Sequence, residues 1–266
     1  MEKDWPQLAK SICQRNFGIG ADGLIIMLPS KTAEISMRIF NADGSEAETC
    51  GNGLRCLVKY ALCKGLIDSE AGEVNIETVS GLRKAKLFTG MGNETNIQVY
   101  MGKPEFDASK IPVNVESDRG KLVDIIPITE YPISIDDREL LLNFVAMGNP
   151  HAVYFQQQPL AEFPLSLIGP AVEMHKLFPN RINFEVARVI NRRLIEVRVW
   201  ERGVGETLAC GSGACAVAVI AQLLDYTDNL VSIKLPGGIL EVFWDRVGEV
   251  MISGPAEIVF NGKWLA

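Results

Sequence analysis

The chain has 266 residues, 47% of them hydrophobic and 22% charged, with a formal net charge of −7. That is the composition of a globular protein with room for two modest lobes, and an acidic chain without a basic run does not suit a nucleic-acid backbone. No apolar run reaches the ~18 residues a membrane-spanning helix needs, and the start of the chain carries no charged-then-apolar signal pattern, so the sequence reads as cytoplasmic, with neither membrane nor nucleic acid as partner.

Strand signals dominate the first part of the chain. Short runs rich in β-branched and aromatic residues at 23–28, 35–40, 74–78, 84–88 and 96–101 are separated by Gly, Asn, Asp or Pro. The Gly18-x-Gly20-x-x-Gly23 spacing matches a dinucleotide fingerprint, but it runs into Leu-Ile-Ile-Met rather than a helix, so it does not open a nucleotide site. A helical pattern follows at 54–64. The Pro- and charge-rich stretch 103–124 is the expected boundary between lobes. Beyond it the same rhythm returns, with strands expected at 143–147, 152–155, 184–190, 194–200, 231–235, 238–244 and 249–253, and helices at 167–177 and 214–224. The expected organisation is an N-terminal lobe of residues 1–105, completed by about 254–266, and a C-terminal lobe of 106–253. The fold class is α/β of the α+β type. Each of two pseudo-symmetric lobes is a mainly antiparallel sheet wrapped around a central helix, with the active site expected in the cleft between them.

Six cysteines in a chain without secretory features are read as reduced thiols. Cys13, Cys56, Cys63 and Cys215 sit among aliphatic residues and read as buried structural thiols. There is no C-x-x-C pair, and with only two histidines there is little to support a metal site. Cys50 and Cys210 are different. The segment Arg38-Ile-Phe-Asn-Ala-Asp-Gly-Ser-Glu-Ala-Glu-Thr-Cys-Gly-Asn-Gly53 aligns without a gap on Arg198-Val-Trp-Glu-Arg-Gly-Val-Gly-Glu-Thr-Leu-Ala-Cys-Gly-Ser-Gly213, 160 residues later. Arg38 matches Arg198, Glu46 matches Glu206, and the two cysteines match, each followed by Gly-x-Gly. A chain that repeats itself around one thiol holds two related lobes. Each cysteine stands at a strand-to-helix turn, where the free N–H groups of the first helical turn favour a thiolate and glycine amides can receive a ligand carboxylate. Two such thiols suit removal of a proton from one face of a carbon and delivery of a proton to the other. The competing reading is a pair of ordinary helix caps.

Asn41 and Asn52 near the first cysteine, and Glu201 and Arg202 near the second, would suit a ligand carrying ammonium and carboxylate groups. An exposed salt bridge within Glu201-Arg202-Gly203 explains the second pair equally well. Gly148-Asn149-Pro150-His151 places one of the two histidines beside a turn. It reads either as a polar residue tuning the sulfurs or as a turn with a satisfied histidine. His175 reads as a surface residue.

Taken together, Asn41-Ala-Asp-Gly-Ser-Glu-Ala-Glu-Thr-Cys50-Gly-Asn-Gly-Leu-Arg-Cys56, Gly148-Asn-Pro-His151 and Glu201-Arg-Gly-Val-Gly-Glu-Thr-Leu-Ala-Cys210-Gly-Ser-Gly-Ala-Cys-Ala216 closely resemble diaminopimelate epimerase, from about Ser11 to the end of the chain. The related proline racemases carry a histidine after the first Cys-Gly and a Ser-Pro before the second cysteine, and neither feature occurs here. The resemblance implies a cofactor-independent isomerase that interconverts LL- and meso-2,6-diaminopimelate, a small-molecule substrate, for lysine and peptidoglycan synthesis. It implies Cys50 and Cys210 as the acid/base thiols, with His151 and Glu201 modulating them. It places Asn41, Gly51, Asn52, Asn149, Asn183, Glu201, Arg202, Gly211 and Ser212 at the substrate, and it implies a homodimer.

Members of the family open with a strand carrying Gly-x-Gly-Asn-Asp-Phe, which this sequence lacks. The expectation is therefore that Met1 is internal to a longer reading frame, or that the chain is a truncated copy without an edge strand and one substrate-binding asparagine. The alternatives kept open are an inactive truncated copy, a racemase of another amino acid on the same fold, and a thiol redox protein.

Overall fold

The computed structural model of the chain describes all residues except 1–3, 48–49, 69, 71, 90–94, 115–126 and 266. The chain divides into two compact units, Met1–Tyr100 with Ser253–Ala266, and Met101–Ile252. Of the expected boundary segment 103–124, residues 103–114 lie in the second unit and 115–124 fall outside the described residues. The fold is mixed α/β, strand-rich with few helices.

In the first unit, α1 (Trp5–Cys13) precedes β1 (Gly23–Leu28), β2 (Ile35–Asn41), β3 (Glu46–Ala47), α2 (Gly51–Cys63), β4 (Glu73–Thr78), β5 (Gly81–Thr89) and β6 (Thr95–Tyr100). The strand order is β1-β2-β4-β5-β6, with β3 added to β2. All neighbours are antiparallel except β2 and β4. On α2, Leu54, Leu57, Val58 and Ala61 recur at helical spacing and are buried, packing the helix against β1, β5 and β6. Its opposite face carries Cys56, Tyr60 and Cys63, all exposed. The expectation that Cys56 and Cys63 are buried is therefore corrected: their spacing of seven puts both on the solvent side of the helix. Cys13 and Cys215 are buried. Helix α1 had not been read from the sequence. Asp4 caps it, accepting from the Gln7 N–H at 3.0 Å, with Pro6 in its first turn.

The second unit contains β7 (Tyr131–Ile135), β8 (Arg138–Ala146), β9 (Pro150–Phe155), α3 (Leu165–Glu173), β10 (Asn183–Asn191), β11 (Leu194–Glu201), β12 (Gly205–Thr207), α4 (Gly211–Leu223), β13 (Leu230–Leu235) and β14 (Gly238–Phe243). The division between units falls within β15 (Met251–Gly254). The strand order is β14-β13-β11-β10-β9-β8-β7, with β12 on β11. Helix α4 is apolar almost all round and buried from Gly213 to Gln222, packing against β8, β9, β10, β13 and β14. Helix α3 packs against β7, β10, β11 and β12, over a core that includes Phe144, Phe163, Phe178 and Phe184. The pattern of the first unit recurs residue for residue. Ile25↔Ile39 and Ile39↔Ala47 become Glu185↔Val199 and Val199↔Thr207, and the parallel β2–β4 pair becomes β11–β13. The Gly18–Gly23 segment leads into β1, not into a helix. Among the described residues no helix is long and apolar enough to cross a membrane.

Candidate active site

The candidate residues fall into two sets, one per unit. In the first, Cys50 is the N-cap of α2, with extended backbone (φ −138°, ψ 114°), and its Sγ accepts from the Gly53 N–H at 3.3 Å. The thiol thus takes the place of the usual serine or aspartate cap on one of the free N–H groups of the first turn. Gly51 and Asn52 follow as the first helical residues. Asn52 Oδ1 accepts from Arg55 Nη2 at 2.8 Å. Asn41, at the end of β2, donates from Nδ2 to Ser45 Oγ at 3.0 Å. Arg38 and Glu46 form a two-pronged ion pair across β2 and β3, with contacts of 2.7 and 2.9 Å.

The second set repeats this arrangement. Cys210 is the N-cap of α4 (φ −124°, ψ 117°) and accepts from the Gly213 N–H at 3.4 Å, with Ser212 Oγ at 3.5 Å. Arg198 and Glu206 reproduce the ion pair, at 2.8 and 3.0 Å. Glu201 accepts from Thr207 Oγ1. The Arg202 backbone N–H donates to Asn183 Oδ1 at 2.9 Å, and its guanidinium donates to the Asn180 carbonyl at 3.1 Å. The expected alternative, an ion pair joining Glu201 to Arg202, is absent among the described residues. The turn that carries them is held by Glu173, which accepts from the Gly203 N–H at 2.9 Å and from Trp200 Nε1 at 2.8 Å. Asn183 also donates to the Pro150 carbonyl at 2.9 Å, tying β10 to the Asn149–His151 turn.

Burial, first of all, pushes the Cys210 thiol pKa well above its ordinary value. Glu201 and then Glu185 add to this, and the Ser212 hydroxyl and Gly213 amide oppose it. Glu185 is the residue sequence reasoning missed. The carboxyl sits inside the unit, fully buried. Its Oε1 is 2.7 Å from His151 Nδ1, and His151 Nε2 is 2.8 Å from Asn149 Oδ1. Burial raises the proton affinity of Glu185; His151 opposes this and Glu201 adds to it. His151 is thus bonded to Glu185 and Asn149, with both ring nitrogens engaged. The signal for Glu185 was present as a charged residue inside the run Phe184-Glu-Val-Ala187, which is buried on both faces. In a strand of that kind a carboxyl is retained for its chemistry or its partner.

Comparison with known proteins places the chain among isomerases. The family model described as "Diaminopimelate epimerase" matches residues 1–106 and 143–259. Diaminopimelate epimerase of Moorella thermoacetica is 43% identical over 98% of this chain and 90% of its own length. Among solved structures, a PhzF-family phenazine biosynthesis protein from Bacillus anthracis superposes with a TM-score of 0.62 at 16% identity, covering 96% of this chain and 86% of that one. A hydroxyproline epimerase from Agrobacterium vitis gives 0.63 at 14% identity, covering 94% and 78%. These two structures share the fold.

Proposed function

Because the chain belongs to the diaminopimelate epimerase family, we propose that it interconverts LL- and meso-2,6-diaminopimelate by proton transfer between two cysteines, Cys50 and Cys210. The observation that carries this reading is the duplication. The same thiol caps the same glycine-opened helix in both units, with its sulfur on the N–H of the third helical residue each time.

One cysteine, as thiolate, takes the α-hydrogen as a proton. The other, as thiol, gives its own proton to the opposite face of the same carbon. The C–H bond broken on one side is replaced by one on the other, and the two thiols exchange protonation states, so the reverse reaction starts from the product form. No electron is gained or lost. The negative charge that develops on the α-carbon and its carboxylate is met by the free amides of the first helical turns, around Gly51, Asn52, Gly211 and Ser212. Asn41, Asn149, Asn183, Glu201 and Arg202 supply the remaining polar contacts to the amino and carboxylate groups, and His151 and Glu201 modulate the thiols. The site residues, a homodimeric assembly, a cytoplasmic location and a role in lysine and peptidoglycan precursor synthesis follow from the same family reading.

The test is α-proton exchange followed by NMR, with LL-diaminopimelate in deuterated water under reductant. The wild-type chain incorporates deuterium with inversion. Cys50→Ala and Cys210→Ala each lower the rate by at least about 10²-fold, the usual worth of a general acid or base. Undiminished inversion in either variant would sink the two-thiol mechanism, and turnover of a different amino acid in preference would replace the substrate.

A further inference from the structure

The neighbourhood of Glu185 holds a proton-counting problem. The two ring nitrogens of His151 each lie within hydrogen-bond distance of an oxygen, Glu185 Oε1 on one side and Asn149 Oδ1 on the other. A neutral imidazole carries one N–H, so the second contact needs a proton from elsewhere. Either the ring is doubly protonated against a carboxylate, or the carboxyl itself carries the proton.

The surroundings favour the carboxyl. Glu185 Oε2 is buried and has no hydrogen-bond partner among the described residues. An ionised carboxylate would leave charge on that bare oxygen, whereas the neutral acid leaves only a carbonyl oxygen there. The groups that face Glu185 are His151 from β9, Glu201 from β11 and the Cys210 thiol from α4. The charged residues on the other strands packed against α4, Arg138 and Glu139 on β8, Lys234 on β13 and Glu241 on β14, are exposed. The repeat adds an independent argument. Glu185 Oε1 packs 2.8 Å from the position a Cβ would take on Gly213, and in the first unit the corresponding place against Gly53 is taken by Ile25, at 3.2 Å. An aliphatic side chain satisfies the packing there, so the carboxyl is not needed to build the motif.

We propose that Glu185 is a positioning residue: as a neutral acid it donates to His151 Nδ1, fixes the Nε2–H tautomer onto Asn149 Oδ1, and thereby turns the Asn149 amide N–H groups toward a carboxylate of the ligand. The identity of that ligand rests on the function proposed above; the hydrogen-bond relay does not. A carboxylic acid kept neutral by its surroundings can act as a donor at neutral pH, and the relay makes Asn149 a one-way donor.

The chain has two histidines, so ¹⁵N-histidine NMR reads the relay directly, with His175→Gln assigning the signals. The expected spectrum shows His151 neutral and protonated at Nε2 alone at neutral pH. E185Q keeps that tautomer, because an amide N–H replaces the acid O–H; E185L loses it. In assays E185L raises KM for diaminopimelate about tenfold with a smaller change in kcat, and E185Q recovers most of that loss. A doubly protonated ring, a neutral ring protonated at Nδ1, or an E185Q variant with KM as high as that of E185L overturns the proposal. A wild-type chain with the expected tautomer but no epimerase activity would sink the functional reading and leave the relay standing.

Discussion

Cys210 and Cys50 carry the same cap geometry in unlike surroundings: Cys210 is 7% exposed, and Cys50 is half-buried. Burial above all, and after it the Glu201 carboxylate, hold the Cys210 proton more tightly in the folded chain than in the unfolded one. The sign of the linkage follows. A group whose folded pKa is raised contributes stability that is complete below the unfolded value and is lost as pH rises above it. With an unfolded thiol near ~8.5, stability should fall by about 1.4 kcal/mol per pH unit on this account, about 2 kcal/mol by pH 10. Urea unfolding of wild type and Cys210→Ala between pH 7 and pH 10 checks it: the variant's stability should decline less steeply, and parallel curves would mean the thiol already ionises in the folded state. For catalysis the same feature implies that the ligand, through the charges it brings and the water it displaces, must help Cys210 to ionise. Glu185 and His151 show how such a setting is assembled two residues at a time within one patch of parallel strands.

Helix α3 lies against β11 through a close contact. A Cβ on Gly169 would sit 2.5 Å from Trp200 Cδ2, an atom of a rigid ring. Trp200 in turn donates to Glu173 on α3, and Glu173 holds the Gly203 amide at the turn that carries Glu201 and Arg202. Gly169→Ala therefore forces the helix and the strand apart. We expect a loss of about 1–3 kcal/mol, the usual cost of overpacking, read by urea unfolding, together with a rise in KM because the turn moves with its anchor. Unchanged stability would mean that α3 and β11 part without cost and that the contact does not hold the turn. Elements of this sort were poorly legible in the sequence. β3 and β12 have two and three residues and exist only because a longer strand lies beside them. β7 contains Pro132, which reads as a strand breaker. It is tolerated because β7 ends the strand order, where a missing N–H need not meet a neighbour.

Across the whole chain the duplication was the most legible feature, because two gapless segments around a cysteine need no knowledge of packing to be seen. The long strands and α2 followed from their own periodicity, whereas α4, apolar almost all round, was legible from its length and its place after the repeated cysteine. Glu185 was hidden because its significance lies in a contact with a residue 34 positions away, and sequence spacing does not encode that. The duplicated design also allows a test at the scale of the molecule. Placing a carboxyl in the first unit where the second has one, Ile25→Glu, supplies an acid against Gly53 whose carboxyl has no designed histidine partner. We expect it to destabilise the chain by about 1–3 kcal/mol at neutral pH. Its folded pKa would lie above the unfolded value of ~4.3, so the stability it permits is complete below that value and lost above it. Urea unfolding at about pH 4 and about pH 7 should therefore differ more for the variant than for wild type, and an equal cost at both pH values would overturn the comparison. The same pairing of Ile25 with Glu185 has a further meaning. An assembly of two identical half-length chains must furnish both halves with identical groups, so any residue that suits one thiol is imposed on the other. Joining the halves end to end lifts that obligation. A single chain can keep hydrocarbon against one cap glycine, Ile25 on Gly53, and a proton-carrying acid against the other, Glu185 on Gly213, so that each thiol is set in a chemistry of its own.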